Sequence, residues 1–180
     1  MKVKVWKENS RREILKGNIF KYSVRNLSSQ MSDKRGDFDL IQCFDWVNVV
    51  ALTTDKKIIL VKQYRNGIDQ VTTEVPGGAI HPGEDPLLSA QRELREEAGY
   101  ISKNWTKLGV VDVNPAFMSN KCFFYLARDC ENTHTQELDP LEEIEIDLQE
   151  LSLVKKMISE GSISHSLTVL SLSLYQLALD

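Results

Sequence analysis

The sequence predicts an α/β fold: an α/β/α sandwich around a mixed β-sheet, with an antiparallel β extension at the N-terminus. Three observations carry that expectation. Apolar, β-branched runs recur in WVNVVALTT, KIILVKQY and CFFYLARDC, each of strand length and bounded by turn residues. A well-marked helix from Pro86 to Ala98 stands among them. Two amphipathic stretches close the chain near Leu148–Ser159 and Ser164–Leu179. Strands on both sides of a central helix, with helices at the end, suit a sheet covered on both faces.

The elements follow in order. KVKVW (from Lys2), NIFKYSV and DFDLIQCF read as short strands of the extension, residues 1–44, with the polar stretch Asn26–Gly36 as a hairpin loop. WVNVVALTT and KIILVKQY, joined at Asp55-Lys56, open the main domain, residues 45–180. TTEVP leads to the pair Gly77-Gly78. Beyond the helix come the strand WTKLGVVDV, the loop NPAFMSNK and the strand CFFYLARDC. The acidic loop ENTHTQELDPLEE and the short strand IEIDL precede the closing helices. There is no internal repeat and no linker.

Composition narrows the function. A net charge of −4 argues against a duplex-binding surface, which needs clustered Lys and Arg, but admits a small anionic ligand. Cys43, Cys122 and Cys130 have no metal-ligand spacing and read as buried or incidental thiols in a reducing compartment. His81, His134 and His165 are scattered, which disfavours zinc. No apolar run reaches the roughly 18 residues of a membrane span, and MKVKVWKENSRRE lacks a signal-peptide core. A cytoplasmic protein with no nucleic-acid or membrane partner is expected.

The segment GGAIHPGEDPLLSAQRELREEAGY, Gly77 to Tyr100, is the most informative. Asp85 suits the N-cap, Pro86 the first helical position and Gly99 the left-handed residue that ends the helix. Leu87, Ala90, Leu94 and Ala98 share an apolar stripe. Glu93, Glu96 and Glu97 then crowd the adjacent face at spacings of three and four. Like charges so placed each cost a few tenths of a kcal/mol. Glu96 and Glu97 also sit in the last turn, where the helix dipole disfavours carboxylates. Arg92 offsets only part of this. A local rule broken without local compensation points to function; clustered carboxylates resolve the conflict by holding Mg²⁺ or Mn²⁺, hard cations that take oxygen ligands.

The full spacing is Gly78, five residues, Glu84, seven residues, Arg92-Glu93-Leu94, one residue, Glu96-Glu97, one residue, Gly99-Tyr100. This resembles the Nudix box at every specified position, with Tyr100 where an aliphatic residue is more usual. The resemblance implies a Nudix-type fold and a loop–helix–loop that holds two or three divalent ions against a pyrophosphate. It implies Glu93, Glu97 and Glu96 as metal ligands, the backbone carbonyl of Gly77 as a further one, and Glu84 and Arg92 as supporting residues. Ions so held neutralise phosphates and activate a water.

DWVNVVALT, VKQYRNG, EVPGG and NPAFMSN together resemble the ADP-ribose and nucleoside-diphosphate-sugar pyrophosphatases, over about residues 44–145. Pro115, about fifteen residues past the box, matches a marker of that branch. In such enzymes the catalytic base comes from a late acidic loop, here ELDPLEEIEI. Glu142 is the first candidate, Glu143 the second, and Glu137 and Asp139 rank below them. Arg65 is placed for a bidentate phosphate contact or a surface ion pair. Glu74 can orient Arg65 or accept from substrate. Trp46 either stacks on a base or packs in the core or a dimer interface, and Ser119 is a candidate contact to the terminal sugar or phosphate. By the same analogy the extension exchanges between subunits of a homodimer and helps build the nucleotide pocket. The expected reaction is hydrolysis of ADP-ribose to a nucleoside monophosphate and a sugar phosphate. GDP-mannose or a broad range of nucleotide sugars is the alternative within that chemistry, and a non-catalytic nucleotide sensor the alternative outside it.

Overall fold

The computed structural model describes residues 3–179. They form two compact units: one runs up to Asp45 and takes in Asp112–Lys121, the other comprises Trp46–Val111 and the chain from Cys122. Among the described residues no helix is long and apolar enough to cross a membrane.

The first unit is a three-stranded antiparallel sheet, β1 (Lys7–Lys16), β2 (Phe20–Ser28) and β3 (Arg35–Cys43), in that spatial order. The expected strand KVKVW is not one: Val3–Trp6 lie outside any strand, and Lys2 is outside the described residues. The strand is KENSRREILK instead. Nearly all its residues are exposed, so no apolar alternation marks it. Its ladder to β2 holds it, helped by Arg25 to Glu8 at 2.6 Å and by Asn9 to Ser28 at 2.7 Å. The hairpin loop expected over Asn26–Gly36 is shorter, because β2 and β3 pair out to Ser28 and Arg35. The segment Asp112–Lys121 docks alongside β3, with Ile41 N–H donating to Phe117 O at 2.7 Å.

The second unit is a mixed sheet between helices, the expected sandwich. β4 (Trp46–Thr53) lies between β5 (Ile58–Arg65) and β10 (Lys121–Asn132); β11 (Ile144–Gln149) flanks β5. Only the β4–β10 pairing is parallel among those described. β4 alternates cleanly. Val47, Val49 and Ala51 pack with Ala90, Leu94 and Ala98 of α1 (Pro86–Ala98). Val50 and Leu52 face the other way, onto Val154 of α2 (Leu151–Ser159) and Leu172 and Tyr175 of α3 (Ser166–Leu177). Each fully buried Val or Leu among them contributes about 1.5–3 kcal/mol.

One departure from a regular sheet makes the site. β4 and β5 pair directly only at Ala51–Ile59 and Leu52–Ile58. Towards the other end they diverge, and β6 (Gln70–Glu74) pairs with β5 while β7 (Gly77–Ala79) pairs with β4. The chain passing from β6 to β7 thus crosses the opening in front of α1. The remaining strands, the two-residue β8 (Tyr100–Ile101) and β9 (Asn104–Asp112), extend the sheet beyond β10.

Candidate functional site

Helix α1 is fixed at both ends. Asp85 accepts from Leu87 N–H at 2.8 Å and from Leu88 N–H at 3.3 Å, and Pro86 follows at the first turn. Gly99 closes the helix at φ 71°, where a Cβ would run into the carbonyl oxygen of His134. With the apolar stripe buried against β4, Glu93 and Glu97 are turned towards β7, and both are buried at 9% and 3% exposure.

The glycine pair makes room for them. At Gly77 a Cβ would collide with the backbone oxygen of Val47; its absence lets β7 run against β4. At Gly78 a Cβ would lie 2.5–2.7 Å from the carboxylate atoms of Glu93, so that carboxylate rests directly on the backbone. Gly77 N–H donates to Glu97 Oε2 at 2.8 Å.

Arg92 organises the rest. It grips Glu84 side-on, Nε to Oε1 at 2.9 Å and Nη2 to Oε2 at 3.0 Å. Nη1 donates to Glu93 Oε1 at 2.7 Å and to Glu96 Oε2 at 3.1 Å, and Nη2 also reaches Ala79 O and Ser89 Oγ. These bonds hold the Glu84 carboxyl at about 2. Glu93 goes the other way: burial pushes it up to about 7 against the pull of Arg92, with Glu96 and Glu142 adding repulsion. Burial likewise raises Glu97 well above the carboxylate range, opposed by the Gly77 N–H and reinforced by Glu93 and Glu142.

Two buried carboxylates one helical turn apart, each destabilised as an anion, are oxygen donors suited to a hard divalent cation, which would reverse both penalties. Among the described residues no three carboxylate, imidazole or thiol groups converge as a ready-made metal cage; Arg92 engages Glu93 and Glu96 instead.

Beside this face, Arg65 at the end of β5 makes a two-pronged contact with the buried Glu74 at the end of β6, at 2.7 Å on both prongs. Of the two readings open to Arg65, the ion pair is therefore present, and it is bidentate. Glu142 is half-buried in the acidic loop, where its carboxylate accepts from Asp139 N–H at 3.1 Å, and it acts electrostatically on Glu93, Glu97 and Arg65 together. Glu143 and Asp139 are exposed, and Glu137 is tied to Arg95 at 3.0 Å. Trp46 is half-buried at the start of β4, paired with Ala79 and Cys122. Pro115 and Ser119 belong to the first unit, where both are exposed and Ser119 N–H donates to Ile41 O at 3.2 Å.

Sequence reasoning missed Thr72, His165 and Thr168, which gather around Glu74 and Val75. Thr72 carried a signal, since positions i and i+2 of a strand share a face. His165 and Thr168 carried none, because only the fold brings α3 to β6.

The family model of the NUDIX domain matches residues 45–164. An ADP-ribose pyrophosphatase of Bacillus subtilis (strain 168) is 32% identical over 132 residues, 73% of this chain and 71% of the relative. A methanol dehydrogenase activator of Bacillus methanolicus is 31% identical over 170 residues, 92% and 89% of the two chains. Among solved structures, a crystal structure of an ADP compounds hydrolase superposes with a TM-score of 0.87 at 20% identity, covering 99% of this chain and 96% of the other. At that identity the likeness speaks for the fold.

Proposed function

Because this chain belongs to the Nudix family, and is a hydrolase of its ADP-ribose pyrophosphatase type, we propose that it is a cytoplasmic enzyme that hydrolyses the pyrophosphate of nucleoside diphosphate sugars, most readily ADP-ribose. The products are a nucleoside monophosphate and a sugar phosphate. The observation that carries the reading is the buried pair Glu93–Glu97 set against the Gly77–Gly78 backbone, with the free edge of Arg65 alongside.

Nudix hydrolases generally use divalent metal ions, and here Glu93, Glu97, Glu96 and the Gly77 carbonyl would hold Mg²⁺ or Mn²⁺. Such ions supply charge neutralisation on the phosphates and a more acidic bound water. The protein's own groups do the rest. Arg92 and Glu84 fix the orientation of Glu93 and Glu96, as outer partners of ligands generally do. Arg65 offers a guanidinium to a phosphate oxygen. Glu142 takes the proton as water adds to phosphorus and the bridging P–O bond breaks, its electron pair leaving with the second phosphate. Trp46 is assigned to substrate recognition.

The reading extends to a homodimer joined through residues 1–44, whose exposed Ile14, Leu15 and Phe20 offer apolar surface. Sedimentation velocity would measure this directly. For the reaction, a panel of ADP-ribose, GDP-mannose and other nucleotide sugars with Mg²⁺, scored by released monophosphate, is the test. ADP-ribose should give the highest kcat/KM. Binding without turnover of any member would put a nucleotide sensor in its place.

A further inference from the structure

Glu74 is a buried carboxylate that the acidic helix does not use. It is 2% exposed, and an ionised group so placed is tolerated only when paired and fully hydrogen-bonded. Its Oε1 accepts from Arg65 Nε and from Thr72 Oγ1. Its Oε2 accepts from Arg65 Nη2 at 2.7 Å, and His165 Nδ1 stands 3.3 Å from the same oxygen. Burial pushes the Glu74 carboxyl up, but the bonds from Arg65 and Thr72 outweigh it and leave the group below its ordinary value. Glu74 is therefore an anion at neutral pH.

His165 occupies the N-cap of α3 yet makes no capping bond to that helix. Its Nδ1 lies 3.0 Å from Thr168 Oγ1, and that hydroxyl oxygen already accepts from Val75 N–H at 3.2 Å. The start of α3 thus holds the end of β6 through the bond from Val75 N–H to Thr168, and it brings the His165 ring to within 3.3 Å of Glu74 Oε2. Electrostatics then select the tautomer. A ring lone pair 3.3 Å from an anionic oxygen is repelled, whereas an N–H there is attracted and can be shared with Thr168, whose oxygen has a second lone pair.

We propose that His165 is a positioning residue: its Nδ1–H steadies Glu74, and Glu74 in turn holds Arg65 with one nitrogen directed to a substrate phosphate. Only the final clause rests on the pyrophosphatase reading. Arg65 commits Nε and Nη2 to Glu74, and among the described residues its Nη1 has no hydrogen-bond partner. The Glu97 and Glu142 carboxylates also act on the Arg65 guanidinium electrostatically. A guanidinium already oriented loses less freedom when it takes a phosphate.

The experiment uses the full chain at pH 8, where the ring is neutral because burial lowers its proton affinity. Ring ¹H–¹⁵N correlation spectra of the wild type should show the Nδ1-protonated tautomer. The Arg65 Nε–H resonance, identified by its loss in Arg65→Lys, should be dispersed and slow to exchange. His165→Ala should move that resonance to the position of solvent-exposed arginines and raise KM for ADP-ribose about tenfold with kcat within about twofold. His165→Asn, whose amide can donate from the place of Nδ1, should restore both. An Nε2-protonated ring overturns the proposal, as does His165→Ala with the Arg65 resonance and KM unmoved. If the alanine variant does not fold, the ring tautomer and the asparagine variant decide it. A displaced Arg65 resonance in a protein that turns over no nucleotide sugar upholds the positioning role and sinks the pyrophosphatase reading alone.

Discussion

Gly77 N–H donates to Glu97 Oε2 at 2.8 Å, a bond that ties the last turn of α1 to the strand running past it. A glutamine retains a carbonyl oxygen for that N–H while losing the charge. Glu97→Gln should therefore keep the fold and melt at the same or a higher temperature above neutral pH, since burial penalises the anion it removes. Turnover should fall by about three orders of magnitude if Glu97 holds the catalytic ion. Circular dichroism and steady-state rates check the two halves separately; unchanged rates remove Glu97 from the site.

Stability should depend on pH with opposite signs at the two ends of the cluster. In the metal-free protein Glu93 is raised to about 7, so between about 4.5 and 7 the folded state binds more protons than the unfolded one. Stability then falls as pH rises through that window, and Glu97, also raised, extends the loss upward. The loss is of order a few kcal/mol. Glu84, held at about 2 by Arg92, contributes stability that is present above about 4.5 and disappears as pH falls towards 2. Thermal melts in EDTA should fall from pH 5 to pH 8, and Mg²⁺ should raise the melting point more at pH 8 than at pH 6, because it binds the ionised carboxylates. A Mg²⁺ effect larger at pH 6 would contradict the assignment.

The two adjacent glycines should respond differently to a methyl group. Gly78→Ala meets only the end of the Glu93 side chain, which can rotate away. That variant should fold with less than about 1.5 kcal/mol lost, while its Mg²⁺ affinity drops about tenfold or more as Glu93 is displaced. Gly77→Ala meets the backbone of β4 at Val47, which cannot yield without breaking strand pairing, so it should lose several kcal/mol or fail to fold. Denaturant titration and Mg²⁺ calorimetry separate the two.

What the sequence made legible follows from how local each signal is. The bounds of α1, Pro86 and Ala98, were readable because Asp85, Pro86 and Gly99 act within a turn of the ends they set. The acidic cluster was readable because three glutamates at helical spacing violate a local rule. β1 was not: its residues are polar and exposed, and its existence depends on the backbone of β2. That Glu74 can orient Arg65 was readable as one option, but not its geometry: the register sets Arg65 opposite Gln70 and Glu74 opposite Val61, so the guanidinium reaches along the strand face to the carboxylate. His165 is further removed still, since it reaches Glu74 only after α3 has packed on the sheet.

Arg92 should be irreplaceable by lysine. Its fork satisfies Glu84 with two nitrogens while Nη1 holds Glu93 and Glu96 and Nη2 reaches Ala79 O and Ser89 Oγ. A single ammonium cannot span those directions. Arg92→Lys should lower activity about 10–100-fold by loosening the carboxylates, and should shift the acid unfolding limb to higher pH as Glu84 loses its partner. A variant with wild-type kcat and an unshifted acid limb would show that Glu84 and Arg92 are not a working unit.

Glu142 is the acidic-loop residue that acts electrostatically on Glu93, Glu97 and Arg65 at once. Its carboxylate accepts from Asp139 N–H and its own N–H donates to Asp139 O at 2.9 Å, a closed turn that spends one of the several lone pairs a carboxylate carries. The remaining ones are free to take a proton from water. A base acts in the transition state and contributes little to ground-state binding, so Glu142→Gln should lower kcat by about 10²–10⁴ and leave KM within about threefold. The glutamine can still accept from Asp139, so the turn should persist and the melting point should not move. If Glu143→Gln shows that pattern and Glu142→Gln does not, the base is Glu143, and the loop presents its exposed side to the substrate.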